Sequence, residues 1–66
     1  MLFKDERLYR PDEVAKRLNI SIKSIYRMIK DVDDPLPAIK IKNIIRLPGN
    51  RLNEYIKRHT IKSWEE

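Results

Sequence analysis

Only Asn19, Ile20 and Ser21 separate two amphipathic stretches of this chain, and that short spacing limits the fold more than any other feature. In "PDEVAKRL", Pro11 suits a first helical position, where its missing N–H would be unpaired anyway. Asp12 and Glu13 favour the positive end of the helix dipole. Val14, Ala15 and Leu18 recur at helical spacing while Asp12, Lys16 and Arg17 face away, which predicts a helix over about 11–18. Asn19 then tolerates the left-handed conformation that ends many helices. Ser21 is an N-cap, because its hydroxyl can accept a bond from a free N–H of the next turn. Ile22, Ile25, Tyr26 and Ile29 mark one face of a second helix over about 22–30.

Helices joined this tightly must pack on each other, and the usual outcome is a helix-turn-helix. The remainder has to complete a small core. The 66 residues suffice for a single domain, with a core over about 8–60 and frayed ends expected. There is no cysteine and a single histidine, His59, so packed aliphatic side chains rather than disulfides or zinc must hold the fold. Asp31 to Pro37 is a rigid polar connection. "AIKIKNIIRLP" then changes the period to two and predicts a hairpin, with strands over about 38–42 and 44–47 and a turn near Lys42 and Asn43. A lone hairpin is unstable, so Ile39, Ile41, Ile45 and Leu47 are expected to pack on the helices. Pro48, Gly49 and Asn50 punctuate the chain. Leu52, Tyr55 and Ile56, with His59 at the margin of the core, predict a third helix over about 50–60. The last residues, KSWEE, are expected to fray, and Trp64 receives no assignment. The fold class is mainly α with a small β-hairpin: helix, helix, hairpin, helix, or a winged helix-turn-helix.

No catalytic constellation emerges. His59 has no cysteine, serine or acid at a telling spacing. Asp31, Asp33 and Asp34 lack the glycine and distal glutamate of an EF-hand loop, so turn formation and charge balance are their expected roles. There is no Gly-rich phosphate loop. Neither a metal nor a cofactor is expected, and the chain reads as a non-enzyme. No apolar run approaches the roughly 18–20 residues of a membrane span, and "MLFKDERLYR" has no hydrophobic signal region. The expectation is a soluble, cytoplasmic protein without membrane association.

Charge supplies the functional lead. Fifteen Lys and Arg stand against ten Asp and Glu, a formal +5 that favours an anionic partner. The excess is concentrated. Lys23, Arg27 and Lys30 occur without an acid among residues 21–30, and Lys40, Lys42 and Arg46 without an acid among residues 35–48. At about 100° per residue, Ile22, Ile25 and Ile29 cluster on one side of the second helix, with Met28 and Tyr26 at the margins. Lys23, Ser24, Arg27 and Lys30 occupy the other. The bland reading is a solvated face, but such faces usually mix signs. The second helix of such a pair is also the one that enters the major groove. Ser24 lets the backbone approach, while Lys23 and Arg27 reach phosphates or guanine edges. In the hairpin, Lys40 and Lys42 either keep an edge soluble or lie with Asn43 on phosphates or in the minor groove. Arg46 reaches a phosphate or braces the hairpin. Ile44 is unusually apolar for a turn and is a candidate protein contact.

"LYRPDEVAKRLNISIKSIYRMIK" followed by "LPAIKIKNIIRLPGNRLNEYI" resembles the excisionase-like, MerR-type winged-helix family over about residues 8–58. The order of the features carries the resemblance: an apolar-Ala-x-x-Leu helix, a hydrophobic-Ser entry, "IYR", a Leu-Pro lead-in, a hairpin and an Arg-apolar-Pro exit. Asn19 stands where glycine is common, the Asp31–Asp34 connection is long and acidic, and the tip Lys42-Asn43-Ile44 is poorer in glycine than usual. The resemblance implies a non-enzymatic protein that binds double-stranded DNA. Ser21, Lys23, Ser24, Tyr26, Arg27 and Lys30 fall to the groove helix, and Lys40, Lys42, Asn43 and Arg46 to the wing. With little besides this domain, it implies a stand-alone excisionase of bacterial or phage origin, associated with the nucleoid. Such a factor bends DNA, assists an integrase or recombinase, and self-associates cooperatively on DNA from a monomer in solution. A small transcriptional regulator of a mobile element is the alternative within the same chemistry. An adaptor using Ile44, Tyr26 or Trp64 is the alternative outside it.

Overall fold

The computed structural model describes residues 2–60, so Trp64 and the expected C-terminal fraying lie outside the described residues. The elements run β1 (Leu8–Tyr9), α1 (Pro11–Leu18), α2 (Ile22–Ile29), β2 (Ile39–Ile41), β3 (Ile44–Pro48) and α3 (Gly49–Arg58). Local chemistry explains the helix ends. The Arg10 N–H donates to Glu13 Oε1 at 2.9 Å, and Pro11 follows at the first helical position. Asn19 takes φ 58° and ψ 45°, which lets its N–H and that of Ile20 reach the carbonyls of Lys16 and Ala15. Ser21 Oγ accepts the Ser24 N–H at 3.1 Å and opens α2.

The hairpin belongs to a three-stranded antiparallel sheet of order β1-β3-β2. Its outer strand β1, not expected from the sequence, pairs Leu8 with Pro48 and Tyr9 with Leu47. The core gathers Phe3, Tyr9, Val14, Ala15, Ile25, Leu36, Leu47 and Leu52 from nearly every element. The larger of these are each worth about 1.5–3 kcal/mol on burial. Leu18, Met28, Ile29, Ile45, Tyr55 and Ile56 pack around them.

The N-terminal residues, expected to fray, are instead part of the core. Phe3 is 2% exposed and meets Tyr9 edge to face, with ring centroids 4.9 Å apart. The Arg17 guanidinium lies over both rings and donates to the Leu2 carbonyl at 3.2 Å. Asn53 closes the segment. Its Oδ1 accepts the Phe3 N–H at 3.1 Å, and its Nδ2 donates to the Phe3 carbonyl at 2.7 Å and to Asp5 Oδ1 at 3.0 Å. Gly49 completes the closure: its N–H donates to the Arg7 carbonyl at 2.8 Å, and a Cβ there would stand 1.8 Å from the Lys4 oxygen. Glycine is required at this contact by space rather than by backbone angle.

Two expectations about packing are corrected. Ile39 and Ile41 do not pack on the helices; they are 42% and 63% exposed. The register explains why. Ile39 pairs with Arg46, Lys40 with Ile45 and Ile41 with Ile44. Directly opposed residues share a face, and across a two-residue turn an odd-numbered position opposes an even-numbered one. Ile45 and Leu47 therefore share their face with Lys40, while Ile39 and Ile41 share the outer face with Ile44 and Arg46. Ile22 is likewise 45% exposed. The buried stripe of α2 is Ile25 with the partly buried Met28 and Ile29. Replacing Ile22 by Met28 turns the helix by about 40° at 100° per residue and lifts Ile22 and Tyr26 outward.

Candidate nucleic-acid interface

The rotation of α2 sharpens its polar face. With the core against Ile25, Met28 and Ile29, the side chains of Lys23, Arg27 and Lys30 project from the opposite side, and all three residues are exposed. Tyr26 sits on the flank, 38% exposed, beside Ile22 one turn earlier. Ser21 and Ser24 are engaged with each other at the helix start. Their hydroxyls lie 2.9 Å apart, and Ser21 Oγ already serves as the helix cap. The helix start is thus held by one of the side chains expected on the groove side.

Lys40, Lys42 and Asn43 are exposed on the hairpin and at its tip. Lys42 adopts φ 56°, a left-handed value that is costly for a residue with a Cβ. Arg46 is only partly exposed, and its Nη1 donates to the Ile45 carbonyl at 2.8 Å. Its guanidinium lies against the hairpin backbone. One cation near the wing was not selected from the sequence. Arg51, exposed in the first turn of α3, lines the groove formed by Ile29, Leu36, Ile39 and Pro48. The signal available was the absence of any acid between Pro35 and Asn53, a stretch that includes Arg51.

Few of the described cations are ion-paired. The ion pairs among the described residues join Arg7 to Glu13, Arg10 to Asp12, and Asp34 to Arg58 and His59. None involves Lys23, Arg27, Lys30, Lys40, Lys42 or Arg46. Two of the acids nearest in sequence, Asp31 and Asp34, are turned to other partners. Asp31 Oδ1 accepts the Asp33 N–H at 2.9 Å and so forms the turn expected of it. Asp34 accepts from Arg58 Nη2 at 2.8 Å and meets His59 Nε2 at 2.6 Å. The His59 contact, followed by Arg58, holds the Asp34 carboxyl below its ordinary value. His59, expected at the core margin, is instead exposed, with its ring 4.3 Å from that of Tyr55. Its position one turn beyond Tyr55 carries it past the end of the core to the acidic connection. Burial raises the Tyr55 hydroxyl above its ordinary value.

α2 and the hairpin therefore carry cations with no acid in their own stretches of sequence and no ion pair among the described residues. A family model described as a helix-turn-helix domain matches residues 8–60, most of the chain. The chain belongs to the helix-turn-helix domain family. No curated protein and no solved structure matches it. The match extends from β1 to the residues just beyond α3. In this helix-turn-helix domain α1 and α2 are the paired helices, and the small sheet stands beside them as a wing. Membership supports sequence-specific binding of double-stranded DNA. No described helix is long and apolar enough to cross a membrane.

Proposed function

We propose that α2 is the recognition helix of an excisionase-type accessory factor, which binds and bends double-stranded DNA and assists an integrase. The observation that carries this reading is the pair of acid-free stretches, one on α2 and one on the wing, whose Lys23, Arg27, Lys30, Lys40 and Lys42 are all exposed. Lys23, Arg27 and Lys30, with Ser21, Ser24 and Tyr26 on the flanks, meet the major groove and its phosphates. Lys40, Lys42 and Asn43 meet the neighbouring backbone. Arg46 serves the wing through its bond to the Ile45 carbonyl and reaches phosphate only by releasing it. Such a factor occupies neighbouring sites side by side in the cytoplasm of a bacterial host.

The test is duplex binding at two salt concentrations by the wild type and Arg27→Ala. Each phosphate contact releases counterions, so affinity falls steeply with salt, and losing one contact lowers the slope of log K against log salt by about 0.9. Equal binding and equal slope for the variant would remove α2 from the interface. An integrase-driven excision assay then separates the finer roles. Stimulated excision supports the accessory factor, whereas DNA binding that represses a promoter and leaves excision unchanged replaces it with a transcriptional regulator.

A further inference from the structure

The outer face of the wing is apolar where a solvated hairpin should be polar. Ile41 and Ile44 oppose each other directly beneath the Lys42-Asn43 tip, and they are 63% and 54% exposed. Ile39, one pair further down, is 42% exposed opposite Arg46. Neither the core nor the positive surface of α2 accounts for this pair. We propose that Ile41 and Ile44 form a wedge that enters the minor groove, partly unstacks a base step and bends the duplex. The proposal rests on the DNA-binding reading above and adds to it the device that produces the bend.

Charge decides the occupant. On this outer face Arg46 stands opposite Ile39, Lys42 follows Ile41 at the tip, Arg51 lines the groove at Ile39, and the chain has no acid from Pro35 to Asn53, while Lys40 lies on the other face. An apolar centre whose rim has cations and no acid suits a groove whose walls are phosphates and whose floor is stacked bases. A second copy docked by the same face would bring the same cations against these. Apolar side chains, isoleucine among them, are frequent wedges of minor-groove proteins, with kinks of about 20–90°. The two-residue turn makes the tip narrow, and direct opposition across the strands places both isoleucines at the same depth.

The experiment uses the full chain and a duplex recovered by selection from a random-sequence pool. The bend is read from energy transfer between dyes at the duplex ends at saturating protein. Ile41→Thr/Ile44→Thr keeps β-branched residues on exposed positions but removes the apolar volume. Ile41→Val/Ile44→Val retains the apolarity, and thermal melts confirm that both fold. The expected result is a bend with the wild type and the valine variant and none with the threonine variant. The threonine variant also leaves the salt slope unchanged, because no phosphate contact is lost. A straight wild-type complex, or a threonine variant that bends DNA like the wild type, overturns the wedge while leaving DNA binding intact. A threonine variant that keeps the bend but loses cooperative binding assigns the face to contact between copies and also overturns it. Failure to recover any bound duplex removes the recognition reading itself.

Discussion

Asn53 and Phe3, 50 residues apart in the chain, are joined by a reciprocal pair of hydrogen bonds at 3.1 and 2.7 Å, both buried. One carboxamide satisfies both the N–H and the C=O of a backbone unit that would otherwise be sealed from water. Asn53→Ala leaves both groups unpaired and should lower stability by about 2–4 kcal/mol in denaturant titration. Asn53→Asp should be no better, because it cannot donate to the Phe3 carbonyl and sets a charge beside Asp5. A loss for either variant no larger than an exposed substitution gives would show the clasp to be dispensable.

Gly49→Ala tests the same closure from the backbone side. The added Cβ meets the Lys4 carbonyl, which is main chain and has no rotamer to yield. The segment from Lys4 to Arg7 must move, with a cost of about 1–3 kcal/mol. Hydrogen exchange should speed up at Phe3 and Gly49 while the amides of α2 stay protected. Uniform deprotection would instead place the damage in the whole core.

Lys42→Gly should move stability and DNA binding in opposite directions. Glycine relieves the left-handed strain at φ 56° and should stabilise the hairpin by about 0.5–1 kcal/mol. The lost ammonium should weaken duplex binding and reduce its salt slope. Binding equal to wild type would take the tip lysine off the phosphate backbone.

Acid stability follows from two carboxylates held below their ordinary values. Glu13 is lowered chiefly by the Arg10 backbone N–H, and Asp34 chiefly by the His59 contact. Their contribution is complete above the ordinary values of 4.5 and 3.8 and is lost as pH falls through the lowered ones. Glu13→Gln/Asp34→Asn should melt lower than wild type at neutral pH, and the two curves should converge in acid. Parallel curves would mean that neither pair is coupled to folding.

Ser21→Ala removes the α2 cap and should cost about 1 kcal/mol. Ser24→Ala keeps the cap acceptor and should cost less. If both weaken DNA binding more than the thermal melts account for, the hydroxyls face the duplex as well as the helix end.

The helices were legible because their determinants are local. Pro11, Asn19 and Ser21 each act within one turn, and all three perform the expected role. The exposed positions of Lys23, Arg27 and Lys30 were legible for the same reason. What escaped depends on partners distant in sequence. Leu8 and Tyr9 are too few to show alternation, and they become a strand only because β3 accepts them. Phe3 looked like part of a free end because Asn53 lies at the far side of the chain. The wing was misread by parity: its isoleucines were assigned to one face before the pairing across the turn was counted. Arg46 was placed on the correct element, but its bond to the Ile45 carbonyl depends on side-chain geometry that no spacing reveals.

The β1–β3 pairing also sets the order in which the protein can be made. Tyr9 meets Leu47, and Phe3 meets Asn53, so residues on the N-terminal side of α1 wait for β3 and α3 to be synthesised. α1 and α2 can form while the chain is still growing, yet their buried faces stay uncovered until β3 and α3 follow. Closing so wide a loop slows folding relative to a protein of local contacts. A nascent or prematurely terminated chain that stops at the wing would have its cationic helix and its open core on view together, and only the arrival of α3 would separate them.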